Sequence, residues 1–282
     1  AMMWIKRYAE AGEHDVVVVD CAPTGETLQL LMFPEAARWW LDKVYPWERR
    51  AMKLARPLLQ PILDGPLPTD EIFNSVRDLL LDIEAIKDVL VNTELSSVRL
   101  VLNLEKMVVK EAKRAYTYLS LFGYQTDAVV VNRCLPSTLR DPFFQGWQEL
   151  QKRYSEEVQN SFSPLPILQA PLFPQEVVGV GRLRELAQAI YGEQDPAVQL
   201  YRGKPQQIEK VGEEYVLTLQ IPLVSKGEVT IDRSGGEISI TVGNYRREVS
   251  LPRTLMARET LGATLEEGEL RVRFGEKALA EV

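Results

Sequence analysis

The sequence predicts an α/β domain with a doubly wound parallel sheet, followed by a smaller antiparallel β-sandwich. Three observations predict this fold class. Short runs of β-branched residues stand among long helical patterns up to about residue 195. Strict alternation of apolar and polar residues then begins, and a segment with proline and glycine separates the two patterns. The predicted boundaries are therefore 1–195 for the first domain, 196–205 for a linker and 206–282 for the sandwich.

Three apolar runs predict the strands of the first domain: one from Val16 to Val19, one over 98–102 and one over 128–131. Continuous apolar runs of this kind are typical of strands buried on both faces of a parallel sheet. Helical stripes separate the runs, and Gly123 and Gly192 are placed to end two of those helices. Strand and helix in alternation imply right-handed crossovers and a doubly wound sheet.

Residues 33–97 show no strand pattern. Tryptophans and leucines crowd the first half of this segment, prolines divide it, and a long helical pattern runs over 72–90. The segment therefore predicts a helical subdomain appended after the first loop of the domain. Its aromatic residues and Met52 predict either the core of that subdomain or a hydrophobic groove for client segments.

The last third of the chain alternates apolar and polar residues over 215–223, 238–242 and 270–274. Period-two alternation is typical of antiparallel strands with one buried face. Ser234-Gly235-Gly236 predicts a turn between two of these strands, and Gly268 predicts another between Leu265 and Leu270. The pattern predicts a β-sandwich.

Composition excludes several function classes. The net charge of −7 and the pI near 5.1 argue against a nucleic-acid binder. The two cysteines, Cys21 and Cys134, lack metal spacing and favour a reducing compartment. No segment approaches the ~20 apolar residues that a membrane-spanning helix needs, and the first residues lack a signal-peptide pattern. We therefore expect a cytoplasmic protein without an integral membrane segment.

Few side chains suggest acid–base catalysis. The single histidine, His14, lies among charged residues and is predicted on the surface, which argues against a Ser–His–Asp hydrolase. Asp127, Asp141 and Glu176 show no spacing of a catalytic carboxylate pair. We expect these three acids to be solvated or to cap helices.

The segment 15-DVVVVDCAPTGETLQLL-31 predicts a buried strand, a tight loop and a helix start. Asp20 would then lie at the carboxyl edge of the sheet, where open α/β folds bind ligands. In P-loop ATPases a carboxylate at this place holds Mg²⁺, directly or through water. Pro23 would stiffen the loop, and Gly25 would let a backbone N–H approach a phosphate at the helix start. The alternative interpretation is a buried strand that ends in an ordinary capping turn.

Several segments resemble one family. The sequence 20-DCAPTGETL-28 resembles the D-T-A-P-T-G-H-T-L switch motif of the ArsA family, which comprises arsenite-pump-driving ATPases and ATPases that target tail-anchored membrane proteins. The segments 100–124, 128-AVVVNRCLP-136 and 171-PLFPQEVVGVGRLRELAQAIYG-192 are similar to later parts of that family, in the same order. The matches cover about residues 4–192. They imply a P-loop NTPase fold that is incomplete in this chain.

The resemblance also implies cofactors, ATP and Mg²⁺, and the residues that bind them. The implied cofactor-binding residues are Asp20, Pro23, Thr24, Gly25, Asn132 and Pro171. Asp20 would hold Mg²⁺ through water, and Thr24 and Gly25 would report the γ-phosphate. Asn132 would read the adenine base, and Pro171 would line its other side.

The C-terminal segment 263-ATLEEGEL-270 resembles the A-x-L-x-x-G-x-L pattern of α-crystallin (small heat-shock) domains. Some members of the ArsA-like group carry such a domain at the C-terminus, so the two resemblances support each other. The alternative is an unrelated β-sandwich with a common turn.

The sequence also departs from the family. No G-x-x-x-x-G-K-[ST] phosphate-binding loop occurs in the 282 residues, and Cys21 and Glu26 replace the threonine and histidine of the switch motif. Without a P-loop lysine, the β- and γ-phosphates lose much of their electrostatic stabilisation. We expect poor or absent ATP hydrolysis by this chain alone. We also expect a missing N-terminal segment, or a second copy in a homodimer, to pair with the strand from Val16 to Val19.

Three functional hypotheses follow. The first is an ArsA-like ATPase that handles hydrophobic or tail-anchored client segments under ATP control. The second is a nucleotide-independent holdase or scaffold that keeps only the fold. The third is a subunit of an anion pump, paired with a membrane permease; the two cysteines do not supply the three thiolates of an arsenite site.

Overall fold

The computed structural model describes residues 2–21, 29, 31, 33, 40–41, 44–48, 50–51 and 70–276. The chain divides into two compact units, Ala1–Leu95 and Ser96–Val282. The first unit contains helices, and the second contains a parallel α/β sheet and an antiparallel sandwich.

Two helices dominate the described part of the first unit: α1 (Met2–Ala11) and α2 (Asp70–Val91). They pack against each other, and Lys6 Nζ of α1 donates to Asp82 Oδ1 of α2 over 2.8 Å. One face of α2 is buried through Leu80, Ile83 and Ile86, and Ile86 is completely inaccessible to solvent. Over 40–51 the described residues are also mainly helical. Helix is therefore found over 70–91 and over most described residues of 40–51, whereas residues 92–97 form turns and irregular backbone.

The predicted strand at residues 16–19 is wrong. These residues belong to no strand, and their side chains are between 43% and 88% exposed. The physical reason is the lack of neighbours, because a parallel strand needs hydrogen-bonded strands beside it and apolar layers above and below. Among the described residues, none pairs with this segment. The loop that follows, with Pro23, Thr24 and Gly25, lies outside the described residues.

The second unit begins with a three-stranded parallel sheet in the order β1-β2-β3. Its strands are β1 (Val98–Asn103), β2 (Thr126–Cys134) and β3 (Ile167–Pro171). The helices that follow them are α3 (Lys106–Leu121), α4 (Gln145–Phe162) and α5 (Gly179–Tyr191). The two strands predicted here from apolar runs are confirmed, and so is the strand–helix alternation.

One face of this sheet forms the main core with α3 and α4. Alternate residues of β1 and β2 point into it, since side chains of a strand alternate between the two faces. The buried members of this core are Leu102, Val109, Ala112, Val129, Val131, Tyr154, Val158, Phe162 and Leu165. The C-terminal half of α4 is therefore anchored, because its three core residues all follow position 153.

Glycine ends two helices as the sequence predicts. After α3, Gly123 has φ of +83° and donates its N–H to the carbonyl of Ser120, while Tyr124 donates to Leu119. This pair of bonds is the Schellman motif, which needs a residue with positive φ. Gly192 follows α5 with φ of +56°.

The sandwich contains a four-stranded and a three-stranded antiparallel sheet. The first sheet, in spatial order, consists of β4 (Gln206–Val211), β5 (Glu214–Gln220), β10 (Glu269–Gly275) and β9 (Glu259–Glu266). The second consists of β6 (Val229–Ser234), β7 (Glu237–Val242) and β8 (Tyr245–Ser250), and a short helix α6 (Arg253–Met256) follows it. The alternation predicted from the sequence is confirmed.

The turn predicted at Gly268 is also confirmed. It joins β9 to β10, with Leu265 and Leu270 paired across the hairpin and both buried. Glu267 and Gly268 have φ of +50° and +80°. Two successive residues with positive φ are typical of the tight hairpin turn that follows the twist of the strands.

The segment after α5 is pinned to the sheet. Arg99 donates to the Asp127 carboxylate over 3.0–3.3 Å and to the carbonyls of Pro196 and Val198 over 2.6 and 2.7 Å. Asp127 also accepts from the N–H of Leu200. The expectation that Asp127 is solvated or capping is wrong, because this side chain is fully buried and paired. A buried charge is tolerated where a partner and hydrogen bonds surround it.

The sandwich also contacts the C-terminal half of α3. The buried guanidinium of Arg247 in β8 donates to the carbonyl of Leu121 and to Gln206 Oε1. One turn earlier, Thr117 Oγ1 donates to the carbonyl of Pro222 over 2.8 Å. The last turns of α3 are therefore fixed by the sandwich.

Candidate functional site

The carboxyl edge of the parallel sheet brings two asparagines together. Asn103 ends β1, and its Cα partner across the ladder is Asn132 of β2. In open α/β folds, ligands bind at this edge. Asn132 is among the residues predicted from the sequence, whereas Asn103 is not. The available signal was the same in both cases, an apolar run that ends in asparagine, but only the strand register shows that the two residues are neighbours.

A β-bulge lies at Asn132. Between the pairs Val131–Gln169 and Cys134–Pro171, β2 advances by three residues while β3 advances by two. The next residue, Arg133, has φ of +56°, which costs a non-glycine residue about 1–2 kcal/mol. Bulges and such strained residues concentrate near functional sites, where they redirect a side chain.

Pro171 ends β3 at the same edge. It is the ladder partner of Cys134, and the next residue, Leu172, donates its N–H to the Cys134 carbonyl over 2.8 Å. The structure thus places Asn132 and Pro171 on adjacent strand ends. These two are the implied site residues in the described part of the second unit, and their roles in binding a nucleotide stay predictions.

An open cavity of about 390 Å³ lies beside these strand ends. Its lining residues are Leu104, Cys134, Leu135, Ser137, Gln148, Gln151, Lys152, Ser155, Glu156 and Gln169. Neither Asn132 nor Pro171 lines it directly, although Cys134 and Gln169 lie two residues from them along the chain. The volume falls in the usual range of small-molecule sites. The lining thus combines leucines and glutamine amides with two serines and two charged side chains, Lys152 and Glu156.

The cysteines are not activated nucleophiles. Burial raises the pKa of the Cys134 thiol, which also donates weakly to the carbonyl of Val131. Burial and the neighbouring Asp20 carboxylate raise the pKa of Cys21. A thiol with a raised pKa stays protonated at neutral pH, so neither side chain is a ready thiolate ligand or nucleophile.

Asp20, the implied Mg²⁺ ligand, lies in the first unit and is exposed. Within the described parts of the chain, no three His, Cys, Asp or Glu side chains come close enough to hold a metal ion. Mg²⁺ commonly takes one or two carboxylates and completes its shell with water and phosphate oxygens. One carboxylate is compatible with that chemistry, and the role of Asp20 stays a prediction.

The remaining minor predictions have clear outcomes. His14 is exposed, with its ring centroid 5.5 Å from that of Tyr8. Asp141 caps the short helical turn before α4, since its carboxylate accepts from the N–H of Phe143 over 2.9 Å. Glu176 is exposed. The predictions for these three residues are confirmed.

A parallel sheet with crossover helices and an appended antiparallel sandwich defines the class as a P-loop-like α/β protein with an added β domain. Comparison with known families agrees. Residues 1–192 match the model of the anion-transporting ATPase family, ArsA_ATPase, and residues 212–274 match the HSP20-like domain found in ArsA. The chain therefore belongs to the ArsA family of anion-transporting ATPases.

Curated relatives share both domains. A putative arsenical pump-driving ATPase 1 from Aquifex aeolicus is 35% identical over 276 residues, which cover 96% of this chain and 70% of that protein. A putative arsenical pump-driving ATPase from Chlorobaculum tepidum is 33% identical over 280 residues, 97% of this chain and 68% of the relative. In the part of the chain that the structure describes, no helix is long and apolar enough to cross a bilayer.

Proposed function

We propose that this chain contributes the base-binding and switch parts of an ATPase that handles hydrophobic protein segments under ATP control. The observation that carries the proposal is the bulged end of β2, where Asn132 lies at the carboxyl edge of the sheet in register with Asn103. An asparagine amide can donate and accept at once, as the edge of adenine does. Pro171 on the adjacent strand end would give the base an apolar face.

The phosphates and Mg²⁺ would be held by the loop after Asp20. In this proposal Asp20 binds Mg²⁺ through water, and Thr24 and Gly25 sense the γ-phosphate, with Pro23 stiffening the loop. The phosphate-gripping lysine would come from a segment outside these 282 residues or from a partner chain. Among the described strands β1 has a neighbour on one side only, so its outer edge is open to a further strand in the active assembly.

Calorimetry with Mg-ADP tests the nucleotide part of the proposal. We expect binding in the micromolar range by the 282-residue chain, and loss of that binding in Asn132→Ala. Asn160→Ala is the matched control, because Asn160 is an exposed asparagine on α4. Binding that is absent in the wild type, or unchanged in Asn132→Ala, contradicts the proposed base site.

Client handling is supported by two features. The chain carries an HSP20-like domain, and α2 exposes Ile72, Val76 and Leu79 at spacings of four and three residues, on one helix face. Exposed apolar stripes of this kind suit apolar helical partners. A light-scattering assay of an aggregating client separates the alternatives: suppression that changes with ATP supports the ATPase, and equal suppression without nucleotide supports the holdase or scaffold.

The names of the relatives favour a second candidate, a subunit of an arsenical pump that works with a membrane permease. That role requires a metalloid site, and the chain supplies two cysteines, both with raised thiol pKa values. Stimulation of ATP hydrolysis by arsenite in the assembled protein is the measurement that supports it. Stimulation by a hydrophobic peptide, without an arsenite effect, supports client handling.

A further inference from the structure

Two glutamines of α4 hold the loop that leaves the end of β2. Gln151 Oε1 accepts from the N–H of Leu135 over 2.7 Å, and Gln151 Nε2 donates to the carbonyl of the same residue over 3.3 Å. One turn earlier, Gln148 Nε2 donates to the carbonyls of Pro136 and Leu139 over 3.3 and 3.1 Å. The two side chains therefore supply hydrogen bonds to the loop backbone that a neighbouring strand would supply within a sheet.

The loop needs such support because it follows the bulge at the end of β2. Arg133, the first residue after Asn132, has positive φ, and its N–H donates to Asn132 Oδ1 over 3.0 Å. Such backbone persists only where the surroundings hold it. Beyond Cys134 the ladder to β3 has ended, so the backbone of Leu135 depends on the Gln151 amide.

Both glutamines lie on α4 and line the cavity. They line it together with Leu135, and both are partly buried. Farther along α4, Tyr154, Val158 and Phe162 are fixed in the core. The position of the loop is thus set by α4 and not by the loop sequence alone.

We propose that Gln148 and Gln151 are positioning residues of the base pocket, which fix the loop from Asn132 to Leu139 and thereby set the preference for adenine over guanine. This inference rests on the proposed nucleotide function. Adenine and guanine differ in the donor and acceptor at position 6, and a site rejects the wrong pattern only when its own polar groups are held in place. A loosened loop can turn an amide or a peptide group and lose that discrimination.

The experiment measures Mg-ADP and Mg-GDP affinity of the 282-residue chain by calorimetry. For Gln151→Ala we expect at least tenfold weaker ADP binding with little change for GDP, so that the ADP/GDP preference narrows about tenfold. Gln151→Glu keeps the acceptor for the Leu135 N–H but brings a carboxylate oxygen to the Leu135 carbonyl, and we expect a smaller change in the same direction. Gln159→Ala, at an exposed glutamine of α4, is the matched control and should equal the wild type.

Hydrogen exchange provides the second measurement. In Gln151→Ala the amides of 133–139 should exchange faster, while those of the core strand β2 keep their protection. Equal weakening of ADP and GDP binding indicates a general structural defect and overturns the positioning role. Unchanged affinity of Gln151→Ala for both nucleotides also overturns it, as does a wild type that binds ADP and GDP with equal affinity. A wild type that binds neither nucleotide overturns the proposed function as well, which separates the two failures.

Discussion

Two segments of this chain have nearly the same local sequence and opposite structures. Residues 15–20 read DVVVVD and residues 127–132 read DAVVVN. The second segment forms the centre of β2, and its valines are at most 7% exposed. The first forms no strand, and its valines are 43–88% exposed.

The difference lies in the neighbours. The strand β2 has β1 on one side and β3 on the other, with the helices α3 and α4 over one face. Residues 16–19 have no hydrogen-bonded strand among the described residues. A run of valines therefore favours a strand, but the strand forms only where neighbouring strands and helices can pack against it. The reason is that β-propensity mainly measures packing.

Substitution of the aspartate that begins each segment should give the largest difference in the free energy of unfolding. Asp127→Ala removes the carboxylate from the partly buried Arg99 guanidinium, and breaking such a pair costs about 3–5 kcal/mol. Asp15 is exposed, and Asp15→Ala should change the free energy of unfolding by less than about 0.5 kcal/mol. Urea unfolding followed by circular dichroism measures both. Equal effects of the two substitutions contradict the role assigned to Asp127.

The valines themselves should give the next contrast. Val129 is completely buried, so Val129→Ala removes two methyl groups from the core and leaves a cavity. We expect the free energy of unfolding to fall by about 2–3 kcal/mol. Val18 is 88% exposed, and Val18→Ala should stay within about 0.5 kcal/mol. A large loss of stability in Val18→Ala would mean that residues 16–19 are covered in solution.

The alkaline pH dependence of stability, compared between the wild type and Tyr116→Phe, reports on the packed segment. Burial, with a smaller contribution from Tyr201, raises the pKa of Tyr116 to about 12, and Tyr116 packs against the core that contains Val129 and Val131. The folded pKa is raised, so this stability is complete below the unfolded pKa near 10 and is lost as pH rises from 10 to 12. We expect a loss of about 1–2 kcal/mol over this window. The loss should be smaller in Tyr116→Phe, where burial still raises the pKa of Tyr118, and unfolding of both proteins at several alkaline pH values checks the difference.

The smallest expected change in stability is for a substitution at the end of β2. Arg133 has positive φ and an exposed side chain, so Arg133→Gly relieves strain but increases the entropy of the unfolded chain. We expect a net stabilisation of about 0.5–1 kcal/mol. Thermal unfolding measures it, and a lower melting temperature would show that the arginine side chain contributes contacts that outweigh the strain.

Local signals predicted most of the second unit. Each of these signals lies within a few consecutive residues. They are the apolar runs of β1 and β2, the glycines after α3 and α5, and the alternation of the sandwich strands. The valines at 16–19 carried the same signal, and only the missing neighbours distinguish them. Strand pairing is a property of two segments, so no single run contains it.

The candidate site shows the same division. Asn132 and Pro171 could be selected from motifs, whereas Asn103 depends on the register of two parallel strands. Asp127 and Arg99 lie 28 residues apart, so their pairing does not follow from local sequence. The glutamines of α4 belong to a polar helix face, and nothing in that face indicates that two of them hold a loop.

The attachment of the sandwich has a mechanical consequence. One fastening joins Arg247 to the last turn of α3, and another joins the segment after α5 to Arg99 and Asp127. The sandwich is thus bonded to α3, and the segment that leads into it is bonded to the sheet, so rotation of the β domain against the sheet would break both sets of bonds. The helix α3 starts three residues after Asn103, so a shift at that strand end would tilt the helix and carry the whole β domain with it.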